Sequence, residues 1–420
     1  MDTRIICIVA ATLLPAICSC EQDYLGVGPY KTRQEAFNGG GGGGGSASHG
    51  GSDTHVHKDT TVYVSGIDFP AEYDWRQDSL YGGIAARVVL LRGGERIVEL
   101  NTGAAQHVSA QADMHHLVDG HLYTEYSDAS LTFIKRDGKD LYTFEGRESL
   151  RGILPLGTEL YTLAQKRSGN GFVLRKGTEV LMERNEGVIQ GTFGEGATPQ
   201  YGALYEDDGH ICFSYARRLG AGNATYAYYI VDNALETQLY TDKGEIVAAR
   251  MIGGEICKVN WNSSSGLLSL DIGKHYYTLQ SQTVTSVRNV VLADEGDQVM
   301  ASALITFGKG TPYTCIWYNG TMHRAMPGQR LAFKDGSNVR YVLNGGDDGL
   351  LIYNENGLKE ADAGNCSLFN LNCGQLAGGR LFLAATPTTL DEYPILWENG
   401  RTTELHINGI LTGLSVMVED

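Results

Sequence analysis

One hairpin constrains this chain more than any other stretch: Pro394-Ile-Leu-Trp-Glu-Asn-Gly-Arg-Thr-Thr-Glu-Leu405. An apolar, aromatic run meets Asn399-Gly400, a pair that tolerates positive φ, and a second alternating run follows. The stretch therefore reads as two antiparallel strands joined by a tight turn. A sister copy is Thr314-Cys-Ile-Trp-Tyr-Asn-Gly-Thr321, and Trp317 and Trp397 each stand three residues before the turn glycine, Gly320 and Gly400. That matched position argues that both tryptophans pack a repeated unit, on the side away from any ligand. Looser copies centre on Gly94, Gly138, Gly177, Asn233, Gly273 and Gly357, which makes eight.

A second landmark recurs with the first. A strand-like run follows a polar or glycine turn at Thr61-Val-Tyr-Val, His121-Leu-Tyr-Thr, Glu159-Leu-Tyr-Thr, His210-Ile-Cys-Phe, Glu255-Ile-Cys-Lys, Gln298-Val-Met-Ala, Asn338-Val-Arg-Tyr and Arg380-Leu-Phe-Leu. Successive starts lie about 40 to 60 residues apart and each precedes one hairpin, the period of a four-stranded propeller blade. No amphipathic run of helical period exceeds about ten residues, and 55 glycines in 420 residues suit turn-dense β structure. The expected fold is all-β, a β-propeller of eight four-stranded blades over residues 60–420. Seven blades is the alternative, because Asn233 lacks the turn glycine and the unit from 61 to 120 is long. Two successive β domains form the other architecture.

Each unit reads as strands b, c and d followed by strand a of the next blade. The first unit lacks an a strand, and the chain closes on Gly409-Ile-Leu-Thr-Gly-Leu-Ser-Val-Met-Val418, a strand without a hairpin. That run is expected to complete the first blade and remove the sheet edges an open array would expose. The named propeller signatures are absent: no regular Trp-Asp as in WD40 repeats, no periodic Gly-Gly as in kelch repeats, no Ser-x-Asp-x-Gly-x-x-Trp box as in sialidases.

Ahead of the repeats, Arg4 precedes an apolar run from Ile5 to Leu14, too short to span a bilayer. Ile17-Cys18-Ser19-Cys20 then resembles the lipobox of bacterial lipoproteins, with an aliphatic residue at -3 and a small one at -1. The resemblance implies a signal peptide over residues 1–19 and acylation of Cys20; Cys18 fits poorly because Ile17 would stand at -1. Glu21-Gln22-Asp23 is similar, in degenerate form, to the export signal of Bacteroidetes surface lipoproteins. The implied place is the outer membrane, lipid-anchored and facing the cell surface, with the periplasmic face as alternative and an ordinary secretory peptide as the plainer reading. Several acyl chains suffice for anchoring, since each buried CH₂ contributes about 0.8 kcal/mol. Residues 20–59 read as a tether: Gly39 to Gly45 are seven consecutive glycines, and a coil of about 40 residues has a reach on the order of 35 Å. His49, His55 and His57 lie on this tether, where nothing holds them for a metal, so no metal or cofactor is expected.

The net charge is -16 and loss of residues 1–19 leaves it unchanged, because Asp2 and Arg4 cancel. Such a surface disfavours duplex nucleic acid, and no basic run offsets it. Cys212, Cys257, Cys315, Cys366 and Cys373 remain in the repeats; Cys212 and Cys257 occupy equivalent places in successive units, too far apart for a disulfide. They read as buried thiols, and Cys366 and Cys373 as unpaired.

Catalytic signatures are missing: there is no Gly-x-Ser-x-Gly, His-Glu-x-x-His, P-loop or dinucleotide fingerprint. His115-His116 and the acidic turns at 206–208, 294–297 and 347–348 read as blade-edge and turn residues, lacking the spacing of an EF-hand loop. In a propeller the b–c and d–a loops share the face that usually holds ligands. The longest b–c insertion, Gly66 to Tyr81, sets Tyr73, Trp75 and Tyr81 among Asp74 and Arg76. Aromatic faces beside carboxylates and a guanidinium suit a carbohydrate; the plainer reading is that they clamp the loop to its blade. Arg217, in another b–c loop, is a further candidate. The functional expectation is a lipid-anchored binding or scaffold protein that captures glycans or meets an outer-membrane protein. The alternative is a polysaccharide hydrolase or lyase using carboxylates or His from the same loops.

Overall fold

The computed structural model describes residues 60–74, 86–101, 115–127, 130–166, 171–190, 204–219, 225–240, 244–280, 283–295, 298–328, 330–335, 338–343, 349–369, 371–389 and 392–418. They form eight antiparallel sheets arranged as the blades of a β-propeller. Strand b begins at Thr60, His121, Glu159, His210, Glu255, Val299, Asn338 and Arg380 in blades 1 to 8, within one residue of the starts read from the sequence.

Blade 1 has the order Glu95–Asn101, Arg87–Arg92, Thr60–Asp68, Gly409–Val418, so the C-terminal run is its strand a. Thr60 pairs with Val418 and Asp68 with Gly409, which closes the ring as expected. In every blade the outermost strand is the most exposed. The b strand Arg380–Pro387 is buried along nearly its whole length, whereas the outer strand Arg401–Glu404 is exposed throughout. An inner strand therefore needs apolar residues on both faces, and an outer one tolerates charge.

The two sequence landmarks are physically one device. In four blades the turn Asn or Asp donates its N–H to a carbonyl at the start of strand b: Asp137 to Leu122, Asn233 to Ile211, Asn319 to Val299, Asn399 to Leu381. Its side-chain oxygen accepts the N–H of that same residue, at 2.9, 2.9, 2.8 and 3.1 Å respectively. The side chain thus supplies the last rung of the b–c ladder. Positive φ at both turn residues explains the Asn-Gly preference, and in blade 4 Ala234 takes that conformation at φ 68° in place of glycine.

Trp317 is fully buried and donates from Nε1 to the carbonyl of Leu279 in the preceding blade at 3.0 Å; Trp397 is buried in the cluster that joins blades 7, 8 and 1. The five cysteines are free and buried. Cys212 and Cys257 are equivalent in detail, each thiol facing the carbonyl two residues before it, and burial pushes both up to about 12, so they stay protonated and inert.

Three departures from regular blades were not legible in the sequence. Strand a carries a bulge at a similar depth in blades 1, 3 and 5, where Thr412, Arg151 and Val247 are the extra residues that the register skips. In blade 4, Val188–Gln190 and Tyr205–Asp207 both pair with His210–Leu219. In blade 8, Cys366–Ser367 and Gly374–Ala377 both pair with Arg380–Pro387, with a 3-10 turn, Leu371–Cys373, between them.

Candidate functional site

Every b strand runs from the turn face toward the opposite face, so the b–c and d–a connections emerge together. Of the residues expected to bind, Tyr73, Asp74 and Arg217 lie within the described set; Cys20, Trp75, Arg76 and Tyr81 lie outside it. Tyr73 is tied to the base of its loop. Its N–H donates to Pro70 at 3.0 Å, and its ring packs on Phe69 with centroids 5.4 Å apart. Asn408, from the last d–a connection, donates from Nδ2 to the carbonyls of Pro70 at 2.6 Å and Tyr73 at 3.0 Å. Tyr73 therefore clips the loop to the closure seam. Arg217 belongs to blade 4, three places round the ring, where it donates to the Tyr229 hydroxyl at 2.9 Å beside a Tyr215–Tyr229 stack.

The seam between blades 8 and 1 holds a hollow of about 430 Å³ lined by Asp68, Phe69, Arg87, Arg96, Glu392, Tyr393, His406 and Asn408. Asp68 is buried at the end of the first b strand and accepts the Asn408 N–H at 2.8 Å. Arg87 and Arg96 each bridge Asp68, at 3.1 and 2.7 Å, and Glu99, at 3.0 Å in both cases. The result is a closed ring of two carboxylates and two guanidiniums with both cations partly exposed. The Arg96 bond, opposed by burial and reinforced by Arg87, holds the Glu99 carboxyl below the usual range. Tyr393 is exposed and stands edge-on to His406, centroids 4.9 Å apart. The hollow thus offers an aromatic face, fixed donors and a carboxylate, a set that can hold a polyhydroxylated molecule.

Sequence reasoning missed Arg87, Arg96, Tyr393 and His406. The available signal was the closing strand itself: pairing Gly409 with Asp68 obliges residues 405–408 to arrive beside the first long loop.

A larger cleft, of about 910 Å³, lies between blades 2 and 3 and is lined by Phe144, Arg147, Glu148, Lys166, Arg175 and Glu183 among others. Four of its charges satisfy one another. Arg175 makes two 2.7 Å bonds to Glu148 and stacks 4.0 Å over Phe144, while Lys166 pairs with Glu183. Lys166 holds the Glu183 carboxyl low. Such a buried, bidentate pair ties strands a and c within blade 3, and the Arg175–Phe144 stack carries the contact to blade 2.

Among the described residues no group of three or more His, Cys, Asp and Glu could hold a metal ion. Asp207, in one of the acidic turns, spends both oxygens on the N–H groups of Gly253 and Gly254, each at 2.9 Å. Residues 347–348 lie outside the described set.

No family profile and no curated protein sequence matches the chain. Solved structures similar to it are distant. A puromycin hydrolase complexed with PGG is 11% identical, with a TM-score of 0.43, over 70% of this chain and 54% of that one. An acylaminoacyl peptidase of Pyrococcus horikoshii is 11% identical at 0.38, over 73% and 52%. The β-propeller domain of the Trilobed protease from Pyrococcus furiosus is 13% identical at 0.39, over 82% and 95%. This chain spans about half the length of the two hydrolases.

Proposed function

We propose that this chain is a lipid-anchored, surface-displayed binding protein that captures glycans on the loop face of its propeller, with Cys20 as the acylated residue. The observation that carries the reading is the seam hollow, where exposed Tyr393 stands beside two guanidiniums and a buried carboxylate. Two more exposed tyrosines, Tyr240 just after strand d of blade 4 and Tyr313 at the start of strand c of blade 6, lie on the same face. Sugar C–H faces stack on such rings while hydroxyls take the fixed polar partners. Trp75, Arg76 and Tyr81 follow Tyr73 in sequence and remain candidates for the same ligand. Delivery of captured glycan to an outer-membrane partner fits the same display.

The hydrolase or lyase reading is weaker. A glycosidase acid needs a carboxyl pushed up toward neutrality, whereas Glu99 and Glu183 are held down by their cationic partners. Calorimetric titration against a broad panel of neutral and acidic glycans tests the proposal. At least one glycan is expected to bind, and Tyr393→Ala to weaken it about tenfold. Silence across the panel, or an unchanged affinity in Tyr393→Ala, overturns the seam site.

A further inference from the structure

The two faces of the propeller differ in their exposed apolar residues. Tyrosines predominate on the loop face; on the turn face the exposed side chains are chiefly aliphatic and follow an arc. Val180, Leu235, Tyr276 and Met322 stand within the first two residues of strand d in blades 3, 4, 5 and 6, and Leu358 immediately before strand d of blade 7. Leu235 and Leu358 are 74% and 66% exposed, values that place them at turn tips with little protein contact. Leu156 joins the arc at the a–b turn of blade 3. The matching positions in blades 8, 1 and 2 are Thr402, Arg96 and Asp140, so the arc is densest over five successive blades, with exposed Ile97 one residue further along strand d of blade 1.

This is also the face from which the chain departs. Strand b of blade 1 begins there at Thr60, paired with Val418, and exposed Met417 and Val418 adjoin the departure point. The preceding 40 residues, from Cys20 to Asp59, include seven consecutive glycines, Gly39 to Gly45. Turn tips of a propeller lie nearly in one plane, which suits a flat partner better than a convex one. We propose that the arc Val180, Leu235, Tyr276, Met322 and Leu358 rests on the surface of the bilayer that holds the lipid anchor, an inference that rests on the lipoprotein reading above. The tether then acts as a short leash, and the arc orients the disc. Blades 3 to 7 sit down on the membrane, blades 8, 1 and 2 lift, and the seam hollow faces outward on the raised side. A net charge of -16 directs this contact to uncharged lipid.

The test uses residues 20–420 with Cys20→Ala, which removes acylation and touches no blade strand. Flotation with vesicles of phosphatidylcholine and phosphatidylethanolamine is expected to carry the protein up. Substituting a fifth of the lipid with phosphatidylglycerol is expected to weaken binding. The triple variant Leu235→Ser, Met322→Ser and Leu358→Ser, with its melting curve unchanged, is expected to bind about tenfold less. No flotation, or flotation equal in parent and triple variant, overturns the proposal. A concentration-dependent mass that the triple variant abolishes, without vesicle binding, assigns the arc to a second copy instead. Labelled palmitate incorporation into the full chain, lost in Cys20→Ala, checks the anchor separately. Acylation with no vesicle binding leaves the lipoprotein reading standing and sinks the docking face; vesicle binding without acylation does the reverse.

Discussion

At the scale of single residues, the repeat contains its own controls. Gly320 and Gly400 both follow a turn Asn at positive φ, with φ of 79° and 88°. A Cβ on Gly320 would lie 2.3 Å from the Cβ of Tyr277 in the preceding blade, whereas one on Gly400 meets nothing within 4 Å. Gly400→Ala therefore tests conformation alone and is expected to cost about 1 kcal/mol. Gly320→Ala adds the inter-blade clash and is expected to cost about 3 kcal/mol; equal losses in urea denaturation would refute the contact. His116 offers a second probe. It lies on strand a of blade 2, its Nε2 is shielded and has no hydrogen-bond partner among the described residues, and burial, aided by Arg151, pushes its pKa down to about 4. The unfolded chain, with an ordinary pKa near 6.5, takes the proton first. The stability that His116 permits is thus full above pH about 6.5 and is lost as pH falls toward 4, by up to about 3 kcal/mol. His116→Met is expected to flatten this acid limb, seen as a smaller fall in melting temperature between pH 7 and 4.

At the scale of elements, the propeller was legible because a blade is specified locally. Two short signals, a turn that accepts positive φ and a strand start a few residues after a polar turn, fall within one unit, and hydrogen bonds from Asn399 to Leu381 and Asn319 to Val299 show that they meet. Blade 4 was the doubtful unit because Asn233 precedes alanine. Its turn nevertheless forms, since Asn233 makes the same two bonds to Ile211 as the other turn residues make to theirs. The acceptor oxygen matters here, not the amide: Asp137 does the same work in blade 2. Asn399→Asp is expected to change stability by less than about 0.5 kcal/mol and Asn399→Leu to cost about 2 kcal/mol, through an unpaired Leu381 N–H and a strained φ. Thermal melts of the pair check this. The seam hollow was not legible for the opposite reason. Asp68 and Asn408 are 340 positions apart, and His406 reads locally as one more polar residue in a connection. The split inner strands of blades 4 and 8 were hidden likewise, because a chain that leaves a ladder and returns to it keeps its alternation on both sides.

At the scale of the whole molecule, the ring is held shut by one strand at a seam that also shapes the candidate site. Gly409–Val418 is buried over its first eight residues and carries Ile410, Leu411, Leu414 and Val416 into the core. Burial of four such side chains contributes roughly 6 to 10 kcal/mol, comparable with the whole stability of a typical domain. Deleting residues 409–420 also leaves Thr60–Asp68 as an unpaired, largely apolar edge. The truncated chain is expected to lose cooperative melting and to elute as aggregate, and a synthetic 409–418 peptide added in excess to restore a monomer. A circular permutant separates strand loss from chain opening. Val418 pairs directly with Thr60, as Ile252 pairs with Glu255 across the turn Gly253-Gly254 in blade 5. Joining Val418 to Thr60 through Gly-Gly, and opening the chain between blades 4 and 5, converts the seam into an ordinary a–b turn with every ladder intact. That permutant is expected to melt in one transition within a few degrees of the parent and to keep glycan affinity, because Asn408, Asp68 and both arginines keep their neighbours. If it melts normally but loses glycan, the site lies away from the seam, and the loop face elsewhere becomes the place to look.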